Sequence, residues 1–281
     1  MIIGLDIGGS TTKIVTFLDQ KMTAGEQVRA DDPVASAYGA LGKVLNLNGH
    51  RVGDVRKLFI TGVGASFIRS PLLGIETHRV EEVRSIGLGG CYVSGLDRAV
   101  VVSMGTGTAI VEADRNKREV SHLIGSGVGG GTLLGLARAM LGTRDIGRFA
   151  RMAEAGDLSQ VDLSIEDISR QQIAGLGPSV TASNFGKVVD ETDAADIAAG
   201  IVNLVFQTVG ILAVAISRGV ALRDIVFTGN LIHLKTGRDM LKRVAELYEY
   251  RFHLPPEAEY ATAIGAALHA FAPPIEGDEL L

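Results

Sequence analysis

Residues 1–17, MIIGLDIGGSTTKIVTF, are the stretch whose reading decides the fold. Ile2, Ile3 and Leu5 make a short apolar run that predicts a buried strand, and Ile14, Val15 and Phe17 predict a second. Between them stand Asp6, Ile7, Gly8, Gly9, Ser10, Thr11, Thr12 and Lys13. The two glycines let the backbone turn tightly and bring its N–H groups against an anion. Ser10, Thr11 and Thr12 offer hydroxyl donors, and Lys13 supplies a cation at the mouth of the second strand. Asp6, at the end of the first strand, is placed to hold Mg²⁺, directly or through water. Ordinary glycine-rich hairpins share such a pattern, so the rest of the chain has to decide between the two readings.

Working outward, the length of 281 residues predicts two packed lobes. Apolar residues are 46% of the chain and charged residues 21%, enough for a sizeable core and against disorder. Glycine is the outlier at 36 residues, clustered at predicted strand ends as anion-binding loops require. A net charge of −5 without a basic block argues against a nucleic-acid surface. The single cysteine, Cys91, fits a reducing cytoplasm and reads as a small core residue. Met1 leads directly into a strand, which predicts no secretory leader. Residues 197–216, IAAGIVNLVFQTVGILAVAI, are long enough to cross a bilayer. Asn203 and Gln207 on one helical face, Asp193 and Asp196 in the first turn with Thr192 as cap, and the absence of flanking basic clusters favour a buried helix at a lobe junction or dimer interface.

Further along, a helix is expected over roughly 33–47, with Pro33 in its first turn. A strand is expected over 55–61, then a tight turn at Gly62-Val63-Gly64-Ala65 and a helix over 80–92. A composition shift at 94–97 suggests lobes of 1–95 and 96–281, with 272–281 a flexible acidic tail. The pattern then restarts: a strand over 99–104, the turn Gly105-Thr106-Gly107-Thr108, and strands over 109–113 and 119–124. DIGGSTTKIV and SMGTGTAIVE are a weak internal repeat, which implies two related lobes facing each other across a cleft. GSGVGGGTLL, residues 125–134, runs into a helix whose N-terminus can meet phosphate. A strand over 224–227 ends at Thr228-Gly229-Asn230, a fourth such turn.

Four turns of this kind resemble the acetate/sugar kinase–Hsp70–actin superfamily, which implies an α/β, two-lobed actin-like ATPase (ribonuclease H-like) fold with nucleotide in the interlobe cleft. No GxxxxGK[ST] and no dinucleotide fingerprint occurs. More closely, the chain is similar to type II (eukaryotic-type) pantothenate kinases over nearly all of residues 1–271. The likeness rests on DIGGSTTKIV, SMGTGT, GSGVGGGTLLGL, AEAGDLSQVDLSIEDI, VTASNFGKVV, VFTGNLIH and TAIGAAL in that order. The resemblance implies phosphorylation of the primary hydroxyl of pantothenate by ATP and Mg²⁺, the first step towards coenzyme A, in a cytoplasmic homodimer. It places the catalytic carboxylate at Glu81, with Glu82 as the alternative. It places nucleotide contacts on Asp6 through Lys13, Thr106, Gly130, Gly131, Thr132, Leu133, Leu134, Ile146 and Asn230, and acceptor contacts at Gly105 and position 122.

At position 122 the family carries an arginine that reaches the acceptor or the transferring phosphate, and this chain has His122. An imidazole makes no bidentate fork and is only partly charged near neutral pH. A related acceptor, such as pantetheine, therefore stays open, as does a catalytically weak regulatory homologue. An N-acetylhexosamine kinase lacks its expected acidic residue after a strand. An iron–sulfur ATPase activator of a radical dehydratase is poorly served, since Cys91 gives a dimer only two of four ligands.

Overall fold

A computed structural model of the chain describes residues 1–171, 177–272 and 278–281. Strands β1 (Ile2–Ile7), β2 (Thr11–Leu18) and β3 (Lys21–Arg29) form an antiparallel meander. Helix α1 (Pro33–Leu47) follows, with the Asp32 carboxylate accepting from Ala35 N at 2.7 Å and Pro33 in the first turn. Its Ala37, Ala40, Leu41 and Val44 recur at helical spacing and pack on Ile3, Leu5, Ile7 and Ile14. Strand β4 (Lys57–Thr61) adds parallel to β1, and β5 (Thr77–Arg79) adds parallel to β4.

After helix α2 (Glu82–Ser94) the same construction repeats. Strands β6 (Arg98–Met104), β7 (Thr108–Asp114) and β8 (Glu119–Ser126) form a second meander. It is followed by α3 (Gly130–Leu141), α4 (Ile146–Ala155), β9 (Leu163–Ser164), α5 (Ile165–Ile168), β10 (Thr181–Ser183) and α6 (Ala194–Gly219). Strand β11 (Asp224–Thr228) then lies parallel to β6. After α7 (Lys235–Tyr248), β12 (Arg251–His253) lies parallel to β11. Beside the short β9–β10 pair, the two large sheets share the five-strand orders β5-β4-β1-β2-β3 and β12-β11-β6-β7-β8, one topology used twice. The repeat legible in the two glycine turns is thus a repeat of the whole sheet.

Helix α8 (Ala261–Leu268) and α2 exchange lobes. Helix α2, which belongs by sequence to 1–95, packs on the second sheet, where a Cβ on Gly90 would meet Val101 Cγ1 at 2.4 Å. Helix α8, which belongs to 96–281, packs on the first, where a Cβ on Gly4 would lie 2.0 Å from Ala263 O. A boundary at 95/96 therefore divides the chain but not the packing. The expected flexible tail ends instead in β13 (Glu279–Leu280), paired antiparallel with β5 because that edge offers unsatisfied backbone groups. Residues 273–277 of that tail lie outside the described residues.

Helix α6 fills the second core, burying Val205, Phe206, Val209 and Ala213 among others. It is long and apolar enough to cross a membrane by length and composition, and 72% of its apolar window is buried inside the protein. Asp193, not Thr192, caps it, accepting from Ala195 N at 2.7 Å. The Thr192 hydroxyl accepts from Val189 N instead. Cys91 is wholly buried, and burial pushes its thiol up to about 11.

The helix crossing yields a contrast in stability. A Cβ on Gly89 of α2 would sit 1.7 Å from Ala261 O, whereas one on Gly135 of α3 meets nothing within 4 Å. Gly89→Ala should lower the midpoint of thermal unfolding sharply. Gly135→Ala should raise it, by about 0.5–1 kcal/mol of stability. Equal effects of the two substitutions would contradict the close crossing.

Candidate active site

The site is assembled where the ends of β1, β4, β6 and β11 meet. Asp6 ends β1 and lies across the ladder from Lys13, with Nζ to Oδ2 at 3.7 Å. Both side chains are almost wholly buried. Burial raises the Asp6 pKa above the ordinary carboxylate value, and the Lys13 charge opposes that rise. Gly62, at the end of β4, has φ +90°, and a Cβ there would lie 2.6 Å from Asp6 Oδ1. The turn at Gly62–Ala65 is therefore a tight turn, as expected, and its tightness lets the neighbouring strand end lie against Asp6.

The two meander turns touch across the cleft. Ser10 Oγ lies 3.1 Å from Thr106 Oγ1, and Asn230 Nδ2 donates to Thr11 Oγ1 at 3.2 Å. Gly229, with φ +94°, brings the end of β11 so close that a Cβ would sit 2.4 Å from Met104 O. Asn230 Oδ1 is buried without a hydrogen-bond partner, an acceptor turned to this junction.

The glycine-rich loop behaves differently from expectation. Two N–H groups at the start of α3, those of Gly130 and Gly131, donate to Gly105 O at 2.9 Å and Thr106 O at 2.8 Å. The loop thus braces the second turn. Nearby, Thr132 Oγ1 donates to Gly127 O at 2.8 Å, tying the loop to itself. Three side chains among the expected nucleotide contacts face inward: Ile7 and Leu133 are wholly buried in the two cores, and Thr12 Oγ1 pairs with Ser36 Oγ under α1. Strand alternation and helical pitch turn these positions away from the cleft. Leu134 and Ile146, by contrast, are exposed apolar side chains at α3 and at the start of α4.

Helix α2 begins beside this junction because Thr61 Oγ1 donates to Val80 O at 3.0 Å and Val80 N donates to Ile60 O at 2.9 Å. Glu81 is the residue before the first helical turn, with extended backbone and a side chain 55% exposed. Its nearest cation is Arg84, at 3.6 Å. Glu82 is half-buried, and burial raises its pKa; the Asp6 charge adds to the rise and Lys13 opposes it. Of the two carboxylates, Glu82 is the half-buried one whose proton affinity responds to the Asp6 and Lys13 charges, and Glu81 is the exposed one. One residue is about 100° of helical rotation, which is the whole difference between cleft and solvent.

His122 is exposed on β8, opposite Val111 in the ladder. Val111 packs with Ile86 and Cys91 of α2, so His122 lies on the α2 side of the sheet. Among the described residues no group of three or more His, Cys, Asp or Glu is placed to hold a metal ion. A Mg²⁺ carried on nucleotide phosphates needs only one or two protein carboxylates. Asp6, a buried carboxylate whose charged form burial disfavours, fits that role.

Sequence reasoning missed a buried polar cluster in the second lobe. Asp162 accepts from Asn184 Nδ2, Phe185 N and Asn203 Nδ2 at 3.1, 2.8 and 2.5 Å. The Asn-Phe pair within VTASNFGKVV was the available signal. A cavity of about 430 Å³ beside Asp162, Asn203 and Thr181 lies between α4, α6 and α7, away from the cleft.

The family model described as Fumble matches residues 99–251. A type II pantothenate kinase of Oceanobacillus iheyensis is 26% identical over 291 aligned residues, covering 95% of this chain and 98% of the relative. One from Staphylococcus aureus is 28% identical over 257 residues, covering 88% and 90%. Among solved structures, the activator of 2-hydroxyisocaproyl-CoA dehydratase from Clostridium difficile with bound ADPNP has a TM-score of 0.70 at 19% identity, covering 96% of this chain and 94% of its own. A glucokinase of the ROK family from Streptomyces griseus, in complex with glucose and AMPPNP, has a TM-score of 0.59 at 11% identity, covering 95% and 97%. Those two likenesses establish the two-lobed, actin-like ATPase fold. The family match takes in more than half of the sequence, from the second meander to β12, and the chain belongs to the Fumble family.

Proposed function

We propose that this protein is a type II pantothenate kinase, transferring the γ-phosphoryl group of ATP to the primary hydroxyl of pantothenate to give 4′-phosphopantothenate and ADP. The observation that carries this reading is Glu82, half-buried at the start of α2 with its pKa raised by burial and by the Asp6 charge, in a chain of the Fumble family. Glu82 accepts the hydroxyl proton as the oxygen attacks the γ-phosphorus and ADP leaves. Lys13 and the hydroxyls of Ser10 and Thr106 face the transferring group. Asp6 would hold a nucleotide-bound Mg²⁺, which would neutralise phosphate charge. Leu134 and Ile146 offer apolar surface to the adenine, and Asn230 Oδ1 accepts from the nucleoside.

His122 keeps pantetheine as a second acceptor, because no fixed cation stands at that position. ADP release by the pure protein, with pantothenate, pantetheine and N-acetylhexosamines offered separately, tests the reading. Release with pantothenate is expected, and release with the amino sugars alone overturns it.

The protein acts in the cytoplasm as a homodimer. Support comes from the outer side of α6, where Ile211 is exposed and Leu204 and Leu212 are half-buried along one helix. Wild type should sediment as a dimer and Ile211→Asp as a monomer. Two monomers, or two dimers, would remove α6 from the interface.

Glu82→Gln should lower kcat by about 10²–10⁴-fold while nucleotide binding survives. Glu81→Gln should leave kcat near wild type. The base works ionised, and its pKa is raised, so kcat falls with acid at a pH above the ordinary glutamate value of about 4.3. Loss of kcat in Glu81→Gln alone would return the base to the exposed residue.

A further inference from the structure

The turn after β4 is packed directly against Asp6. A Cβ on Gly62 would stand 2.6 Å from Asp6 Oδ1, and one on Gly64 would stand 2.4 Å from Ile7 Cγ2. The turn closes on itself through Ala65 N to Gly62 O at 2.9 Å and Ile68 N to Ala65 O at 3.1 Å. Arg79, the last residue of β5, fastens it to the sheet. Its Nε donates to Ala65 O at 3.3 Å and its Nη2 donates to Ile68 O at 2.6 Å.

The segment that carries Arg79 also delivers α2. One residue later, Val80 N donates to Ile60 O and Thr61 Oγ1 donates to Val80 O, which pins the chain to β4. Glu82 opens the helix two residues after that. Arg79 therefore joins the turn beside Asp6 to the start of the helix that bears Glu82. Its remaining nitrogen, Nη1, donates to Glu279 of β13, which stands opposite Arg79 in the ladder. Strand β13 is held on both sides of that residue: Leu281 N donates to Thr77 O at 3.0 Å, and Asp278 Oδ2 lies 3.2 Å from Nδ1 of the buried His269.

One planar fork thus serves two backbone carbonyls and a carboxylate. A lysine, with a single nitrogen at the end of a flexible stem, cannot span three acceptors spread in that way. Glu279 is 58% exposed, so its ion pair adds little energy of its own and serves mainly to orient the guanidinium.

We propose that Arg79 is a positioning residue for phosphoryl transfer: it holds the 62–68 turn against Asp6 while standing three residues before Glu82, and Glu279 of the C-terminal strand aligns its guanidinium. This assignment rests on the kinase reading above and adds to it a residue that acts through the backbone rather than on nucleotide or acceptor.

The test compares wild type, Arg79→Met, Arg79→Lys, Glu279→Gln and Glu76→Gln for phosphorylation of pantothenate by ATP, with amide hydrogen exchange and the thermal midpoint measured on each. Arg79→Met keeps an apolar stem and removes every donor. It should lower kcat by about 10–100-fold, the loss expected for a shift of about 1 Å in a reacting group, with KM for pantothenate within about twofold of wild type. Exchange at the amides of Ala65 and Ile68 should quicken in the same protein. Arg79→Lys should recover part of kcat, and Glu279→Gln should lose about two- to fivefold. Glu76→Gln, which removes ion pairs to Lys57 and His78 just before the same strand, should match wild type. If Arg79→Met does not fold, Arg79→Lys and Glu279→Gln read the same split. Wild-type kcat in the folded Arg79 variants, a loss of kcat without faster exchange in the turn, or an equal loss in Glu76→Gln overturns the role of Arg79 and leaves the kinase reading standing on wild-type turnover. A wild type that phosphorylates neither pantothenate nor pantetheine overturns both.

Discussion

Helices α2 and α8 cross with no side chain between them, and the geometry of the cleft depends on that contact. Gly89 lies against Ala261 O, and Gly265 lies so close to Ser85 O that a Cβ would be 1.8 Å away. Because α8 rests on the first sheet and α2 on the second, the crossing fixes the two lobes relative to each other. It also fixes the start of α2 beside the end of β1. A side chain at either glycine would push α2 outward and carry Glu82 away from Asp6.

Once that crossing is set, charge placement follows from a short list of buried groups. Asp6 and Lys13 face each other across one ladder pair, and Glu82 joins them from α2. Two carboxylates near one lysine raise each other's proton affinity, which suits one of them to take a proton. The hydroxyl contacts from Ser10 to Thr106 and from Asn230 to Thr11 draw the duplicated turns together around this trio. The glycine-rich loop contributes indirectly, by bracing the second turn through Gly105 O and Thr106 O.

Much of this was legible in the sequence because it depends on local pattern. The apolar run of Ile2, Ile3 and Leu5 pointed to β1, Asp32-Pro33 to the start of α1, and the two Gly/Thr turns to the repeat. What was not legible depends on rotation or on distant contacts. Glu81 and Glu82 are equivalent in sequence, and only the helix start decides which faces the cleft. Thr192 and Asp193 have equal capping chemistry, and the loop before α6 assigned the role to Asp193. The lobe exchange of α2 and α8 leaves no periodic trace in the sequence. The donors of the glycine-rich loop were expected to be free for phosphate, yet two of them are satisfied by a turn more than twenty residues away.

In the proposed kinase the duplicated turns hold the phosphates and Glu82 receives the acceptor hydroxyl. A crystal structure with a non-hydrolysable ATP analogue, Mg²⁺ and pantothenate measures this most directly. The γ-phosphate is expected between residues 8–13 and 105–108, and the primary hydroxyl within hydrogen-bond reach of the Glu82 carboxylate. A nucleotide bound outside the interlobe cleft, or a hydroxyl resting on Glu81, would contradict it.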